Sequence, residues 1–114
     1  MRLVRPDGAQ LAWEAVGDGP AVLLVNQFIG DRALYEELIG DLARDHRVVT
    51  YDPRGTGASS RRGPYDEVTD DGDLEAVAEA VGTPAVLLGV SDGNNRAARL
   101  AARRPDLALS LIHI

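Results

Sequence analysis

Two incompatible periodicities meet without a linker in the stretch from Ala85 to Arg104, and this constrains the fold more than any other feature. Ala85 to Val90 is a continuous apolar run after Pro84, with the length and composition of a strand buried on both faces. From Asp92 onward Ala97, Leu100 and Ala101 recur at helical spacing, Arg96, Arg99 and Arg103 lie largely off that stripe, and Pro105 stops the run. The chain therefore passes from strand to helix at Ser91, in a tight turn.

The residues at that turn are Gly89-Val90-Ser91-Asp92-Gly93, a G-x-S-x-G pattern. A serine on such a bend is strained, and glycine suits the flanking positions where neighbouring backbone crowds in. The bend directs the hydroxyl outward. The first amides of the following helix are expected to stay unpaired and to point into the same space. An oxygen that becomes negative during acyl transfer would be stabilised there by the backbone N–H of Asp92. Gly, Ser and Asp are also ordinary turn formers, so the pentapeptide alone equally describes a plain strand-to-helix turn. Its setting, between an apolar strand and an amphipathic helix, points to chemistry.

The same alternation runs through the rest of the chain. Leu3 to Arg5 and Gln10 to Val16 read as two strands joined at Pro6-Asp7-Gly8, an antiparallel opening hairpin at a sheet edge. Ala21 to Val25 is an interior strand, and Asn26 to Gly30 leaves it as a loop. Asp31 is placed to cap a helix carrying Leu34, Leu38 and Leu42, with Glu36 and Glu37 where the helix dipole favours anions. Arg47 to Tyr51 is a further strand, followed by the loop from Asp52 to Ser60. After a polar stretch, Leu74, Val77, Ala78 and Val81 mark a helix capped by Thr69 or Asp70 and closed by Gly82. Hairpin, strand, helix, strand, helix, strand, helix predicts a largely parallel α/β sheet.

Composition excludes several other classes. A net charge of −6 argues against nucleic-acid binding, which needs a basic face, and Arg61-Arg62 reads as a solvated pair. There is no cysteine for a disulfide framework or thiolate site, and two distant histidines make no metal site. No apolar run approaches a membrane span, and the start Met-Arg-Leu-Val-Arg-Pro-Asp-Gly lacks the long apolar region of a signal peptide. A cytoplasmic chain with no membrane partner is the expectation. Gly55 and Gly57 lack the third glycine of a dinucleotide fingerprint, since position 60 is serine.

From the opening hairpin to Pro105 the chain resembles the N-terminal half of an α/β-hydrolase. Gly89-Val90-Ser91-Asp92-Gly93 matches the nucleophile elbow of that family, and Asp52-Pro53-Arg54-Gly55-Thr56-Gly57 resembles its D-x-R-G-x-G loop. The resemblance implies Ser91 as nucleophile, Gly89 and Gly93 as elbow glycines, and backbone amides of Asp92 and Phe28 as the oxyanion hole. It also implies a small acyl substrate, no cofactor, and structural roles for Asp52 and Arg54. Asn26-Gln27 stands where many members carry His-Gly.

A serine hydroxyl needs a positioned imidazole, and that imidazole an acid, in the chain order Ser, acid, His. His46 precedes the serine at the start of a strand and reads as a surface residue, while His113 comes too early for the family's histidine. The chain is accordingly expected to stop before its acid and base, with residues 1–108 a partial domain. Residues 109–114 read either as a strand start or as a scar, because Leu-Ser-Leu-Ile-His-Ile is what a transposon-end sequencing adapter encodes in one frame. Such a half-sheet is expected to expose apolar edges, to self-associate and to be inactive alone. Two rival functions are a non-catalytic α/β-hydrolase-like ligand-binding protein and a doubly wound nucleotide-binding domain. Substrate identity and oligomeric state are not readable from these residues.

Overall fold

A computed structural model describes residues 1–25 and 35–114. Its strands are β1 (Arg2–Val4), β2 (Gln10–Val16), β3 (Ala21–Val25), β4 (Arg47–Tyr51), β5 (Ala85–Gly89) and β6 (Ala108–His113), and its helices are α1 (Glu36–Leu42), α2 (Glu67–Val81) and α3 (Gly93–Arg103). They form one six-stranded sheet in the order β1-β2-β4-β3-β5-β6. The β1–β2 and β2–β4 pairs are antiparallel, and β3–β4, β3–β5 and β5–β6 are parallel. The opening hairpin thus forms one edge, as its alternating pattern indicates.

The all-apolar run of β3 is explained by its position, buried along its whole length between β4 and β5. Ala21, Leu23 and Val25 pack with Leu74, Val77 and Val81 of α2 and Ala97 and Leu100 of α3. Val22 and Leu24 point the other way, into a cluster with Ile39 of α1, Val48, Leu88 and Val90. Successive strand residues therefore serve opposite layers, giving a helix–sheet–helix sandwich. Off-stripe arginines of α3 are used between helices: Arg99 grips Asp71 at 2.7 and 3.0 Å, and Arg103 reaches Glu75 at 2.8 Å.

Two expectations need correction, and a third falls outside the described residues. Helix α2 begins earlier than its apolar stripe suggests, because Asp66 is the N-cap and its carboxylate accepts the Thr69 amide at 2.8 Å. Thr69 and Asp70 lie inside the first turns. Arg96, assigned off the apolar stripe, is only 7% exposed. The proposed cap Asp31, with Leu34, lies outside the described residues; α1 as described starts at Glu36 without a side-chain cap.

The loop after β4 is sewn onto β2. Asp52 donates its amide to the Ala12 carbonyl at 2.9 Å, Ser59 Oγ accepts from the Ala12 amide at 2.9 Å, and Ser60 Oγ accepts from the Gln10 amide at 2.8 Å. The Asp52 carboxylate folds over Gly57, where an added Cβ would stand 2.3 Å from Oδ2, and accepts the Ala58 amide at 3.0 Å. Arg54 turns inward to 1% exposure and clasps Asp73 through two bonds of 2.7 and 2.9 Å, with a third bond to Asp7 at 2.8 Å. Asp52 and Arg54 therefore hold the loop. The partner Asp73, buried at the apolar edge of α2, is a residue that sequence reading missed.

Candidate active site

Strand order reverses around β3: the chain leaves it toward β4 on one side and returns to β5 on the other. In open α/β sheets the crevice beyond the carboxyl ends at such a switch point is where ligands bind. Ser91 sits there, exposed, immediately beyond β5. Its φ of 53° makes it the one non-glycine residue with positive φ among the described residues. That conformation costs an L-residue roughly 1–2 kcal/mol and persists only where the surroundings impose it.

Those surroundings are visible on both sides. The Val90 amide donates to the Val25 carbonyl at the end of β3, at 2.9 Å. The Ser91 amide donates to the Ile114 carbonyl, and the Ile114 amide to the Gly89 carbonyl, each at 2.9 Å. Helix α3 then leaves so close to the strand that a Cβ on Gly89 would lie 2.7 Å from Asn94 Cα, a backbone atom unable to move alone. Gly89 is thus required by the close approach of the strand and the helix. Gly93, buried, is the first residue of α3.

The helix amides behave differently from the expectation. Those of Gly93, Asn94 and Asn95 turn back onto the carbonyls of Val90, Ser91 and Asp92, at 2.9, 3.1 and 3.1 Å. The bend is tightened into successive i→i−3 bonds, which consumes these donors. Asp92, exposed at the position after the serine, makes no side-chain cap. Phe28, the other residue assigned to the oxyanion hole, lies outside the described residues, as do Asn26 and Gln27.

Neither histidine hydrogen-bonds or ion-pairs with Ser91 among the described residues. His46 precedes β4 at the amino ends of the parallel strands, with Nδ1 2.6 Å from Asp45 Oδ1 and 3.2 Å from the Leu42 carbonyl. His113 is brought nearer than its place in the chain suggests, since β6 pairs it with Gly89, and it is exposed.

Beside Ser91, a groove of about 290 Å³ runs between the starts of α2 and α3, lined by Asp66, Asp70, Asp92, Asn95, Arg96 and Arg99 among others. Tyr51, buried at the end of β4, has its pKa pushed up to about 12, chiefly by burial and against the attraction of Arg96. Burial likewise raises the Asp70 carboxyl, against the attraction of Arg96. Among the described residues no group of three His, Cys, Asp or Glu side chains is gathered to hold a metal ion, and no helix is long and apolar enough to cross a membrane.

A family model described as the alpha/beta hydrolase fold matches residues 20–114. An alpha/beta hydrolase from Sphaerobacter thermophilus superposes with a TM-score of 0.87 at 33% identity, over 99% of this chain and 44% of that one. Uncharacterized hydrolase YraK of Bacillus subtilis is 30% identical over 103 residues, 87% of this chain and 38% of YraK. Probable oxidoreductase EphD of Mycobacterium tuberculosis is 39% identical over 66 residues, 56% of this chain. The chain spans 38% of YraK and 11% of EphD.

Proposed function

Because the chain belongs to the alpha/beta hydrolase fold family, we propose that it is the nucleophile-bearing part of a serine hydrolase cleaving an ester or related acyl bond of a small-molecule substrate. The observation that carries this reading is the left-handed, exposed Ser91 at the sheet's switch point. Ser91 Oγ attacks the substrate carbonyl and its proton passes to an imidazole. The carbonyl oxygen becomes an oxyanion held by the amides of Asp92 and Phe28. Collapse expels the alcohol, which takes the proton from the imidazolium, and water then releases the acid from the acyl-serine. The imidazole and its acid belong to sequence beyond residue 114 in a longer protein, and the 114-residue chain by itself is inert. No cofactor takes part.

The test is a fluorophosphonate probe on the longer protein, with the adduct located by mass spectrometry. Labelling at Ser91 that vanishes in Ser91→Ala supports the reading. A longer protein with no downstream acid and histidine and no adduct would make this a ligand-binding relative instead. Ester hydrolysis by the 114-residue chain that is lost in Ser91→Ala but survives both His46→Ala and His113→Ala would overturn the claim that the chain is inert.

A further inference from the structure

The elbow hangs from two strands of unequal burial. On one side the Val90 amide donates to the carbonyl of Val25, which is 0% exposed at the end of β3, a strand flanked by both β4 and β5. On the other side the amide of Ser91 itself is held by β6. It donates to the Ile114 carbonyl, and the Ile114 amide returns a bond to the Gly89 carbonyl, each at 2.9 Å. Strand β6 is an edge of the sheet, with β5 as its one partner among the described residues, and every residue of it after Ala108 is exposed. Ile114, which makes both bonds with main-chain atoms, is 56% exposed.

Segments with few buried contacts open at low free energy, whereas core strands open only with most of the molecule. The two anchors of the elbow therefore release separately. When β6 lifts, Ser91 loses the acceptor of its amide and Gly89 loses the donor to its carbonyl, while Val90 stays pinned to β3. A serine at φ 53° relaxes once its surroundings stop imposing that conformation. We propose that Ile114 is a positioning residue acting through its peptide group: seated on β5, it holds Ser91 left-handed, so the geometry of the nucleophile follows the opening and closing of the edge strand. The proposal deepens the serine-hydrolase reading and rests on it for the reactivity of that geometry.

Native-state hydrogen exchange on the isotope-labelled 114-residue chain reads these openings without any catalysis. The Ser91 and Ile114 amides are expected to share one opening constant, larger than that of the Val90 amide by about tenfold or more. Two variants break the clasp from opposite sides. Ile114→Pro removes the donor to Gly89 and keeps the carbonyl, while deletion of Ile114 removes the carbonyl by shortening the strand about 3.3 Å. Each is expected to speed exchange of the Ser91 amide by on the order of fivefold or more and to move the Ser91 Cα and Cβ shifts away from left-handed values. Ile114→Ala keeps both main-chain groups and should keep the shifts left-handed. In the longer protein, Ile114→Pro should slow fluorophosphonate capture at Ser91, per folded molecule, by on the order of tenfold, since small misplacements of reacting atoms are costly. A Ser91 amide as protected as that of Val90 overturns the proposal. So does a lowered urea midpoint with Ser91 shifts and capture rate of folded molecules unchanged, which is the mark of a strand serving stability alone. Should Ile114→Pro fail to fold, the deletion decides by exchange and shifts. Shifts that respond as expected in a protein whose wild type is never captured would refute the hydrolase reading while leaving the coupling to β6 intact.

Discussion

Replacing Asp73 by asparagine removes the charge at the centre of the loop anchor while leaving nearly the same volume. Asp73 is 2% exposed and accepts two bonds from Arg54 and a third, of 2.9 Å, from Arg5. Arg54 is 1% exposed, and the hydrogen bonds it donates to Asp73 hold its guanidinium still more firmly protonated than usual. In Asp73→Asn the one carboxylate still ion-paired with that cation among the described residues is Asp7, whose side chain is 36% exposed, beside a long bond to the Arg62 carbonyl. Removing one partner of a buried pair costs about 3–5 kcal/mol, a large share of the roughly 6–17 kcal/mol expected from chain length. With a urea m-value of about 2 kcal/mol/M, the midpoint should fall by about 1.5–2.5 M. Trp13, the chain's one tryptophan and packed against the core, reports the transition by fluorescence. The control is the double variant Arg54→Met with Asp73→Leu, which should recover most of the loss, because exchanging a whole buried pair for hydrocarbon is often neutral. Arg5, 25% exposed, can then turn to water. A loss under about 1 kcal/mol in Asp73→Asn, or single losses that simply add in the double variant, would refute the argument.

Four further outcomes follow from the same geometry. Ser91→Gly should be more stable than Ser91→Ala by about 1 kcal/mol in urea melts, because glycine carries no penalty at positive φ; equal midpoints would remove the strain. Gly89→Ala should cost about 1–3 kcal/mol by forcing α3 off the strand, and an unchanged melt would contradict the close approach. Asp66→Ala should cost about 1 kcal/mol, with the loss seen in helical circular dichroism as fraying of α2. For Tyr51 the sign follows from its raised pKa: the folded state holds its proton from the ordinary 10.0 up to about 12. Its contribution is therefore complete below pH 10.0 and is lost as pH rises toward about 12. Urea midpoints measured across that window should fall more steeply than in Tyr51→Phe, and parallel curves would show that Tyr51 is not the group responsible.

What could be read from the chain alone depended on whether a signal was local. Continuous apolar runs identify β3 and β5 because both faces of each strand are covered. The bend at Ser91 is legible because a strand run and a helical stripe abut with glycine on either side. The start of α2 is ambiguous for a local reason too: Asp66, Thr69 and Asp70 are all capping types, and Val68, 83% exposed, lies in a first turn that has no apolar stripe to mark it. Arg96 and Asp73 escaped for a different reason. A charge beside an apolar stripe reads as solvated until its surroundings, supplied from far along the chain, are known, and Arg54 is brought to Asp73 only by the fold. The bonds that fix the elbow share this character, since Val25 and Ile114 reach it through strand register.

The order β4-β3-β5 also says something about how such a chain must be made. Val22 faces Val48 on one flank and Val86 on the other, so the middle strand gains its first neighbour early in synthesis and its second only much later. A nascent chain that has not yet exposed Ala85 to solvent carries its most apolar strand with one row of amides and carbonyls unmatched. Distant pairings of this kind slow folding and leave the unmatched strand exposed to aggregation in the meantime. Emergence of the serine-bearing segment is then also the event that closes the interval.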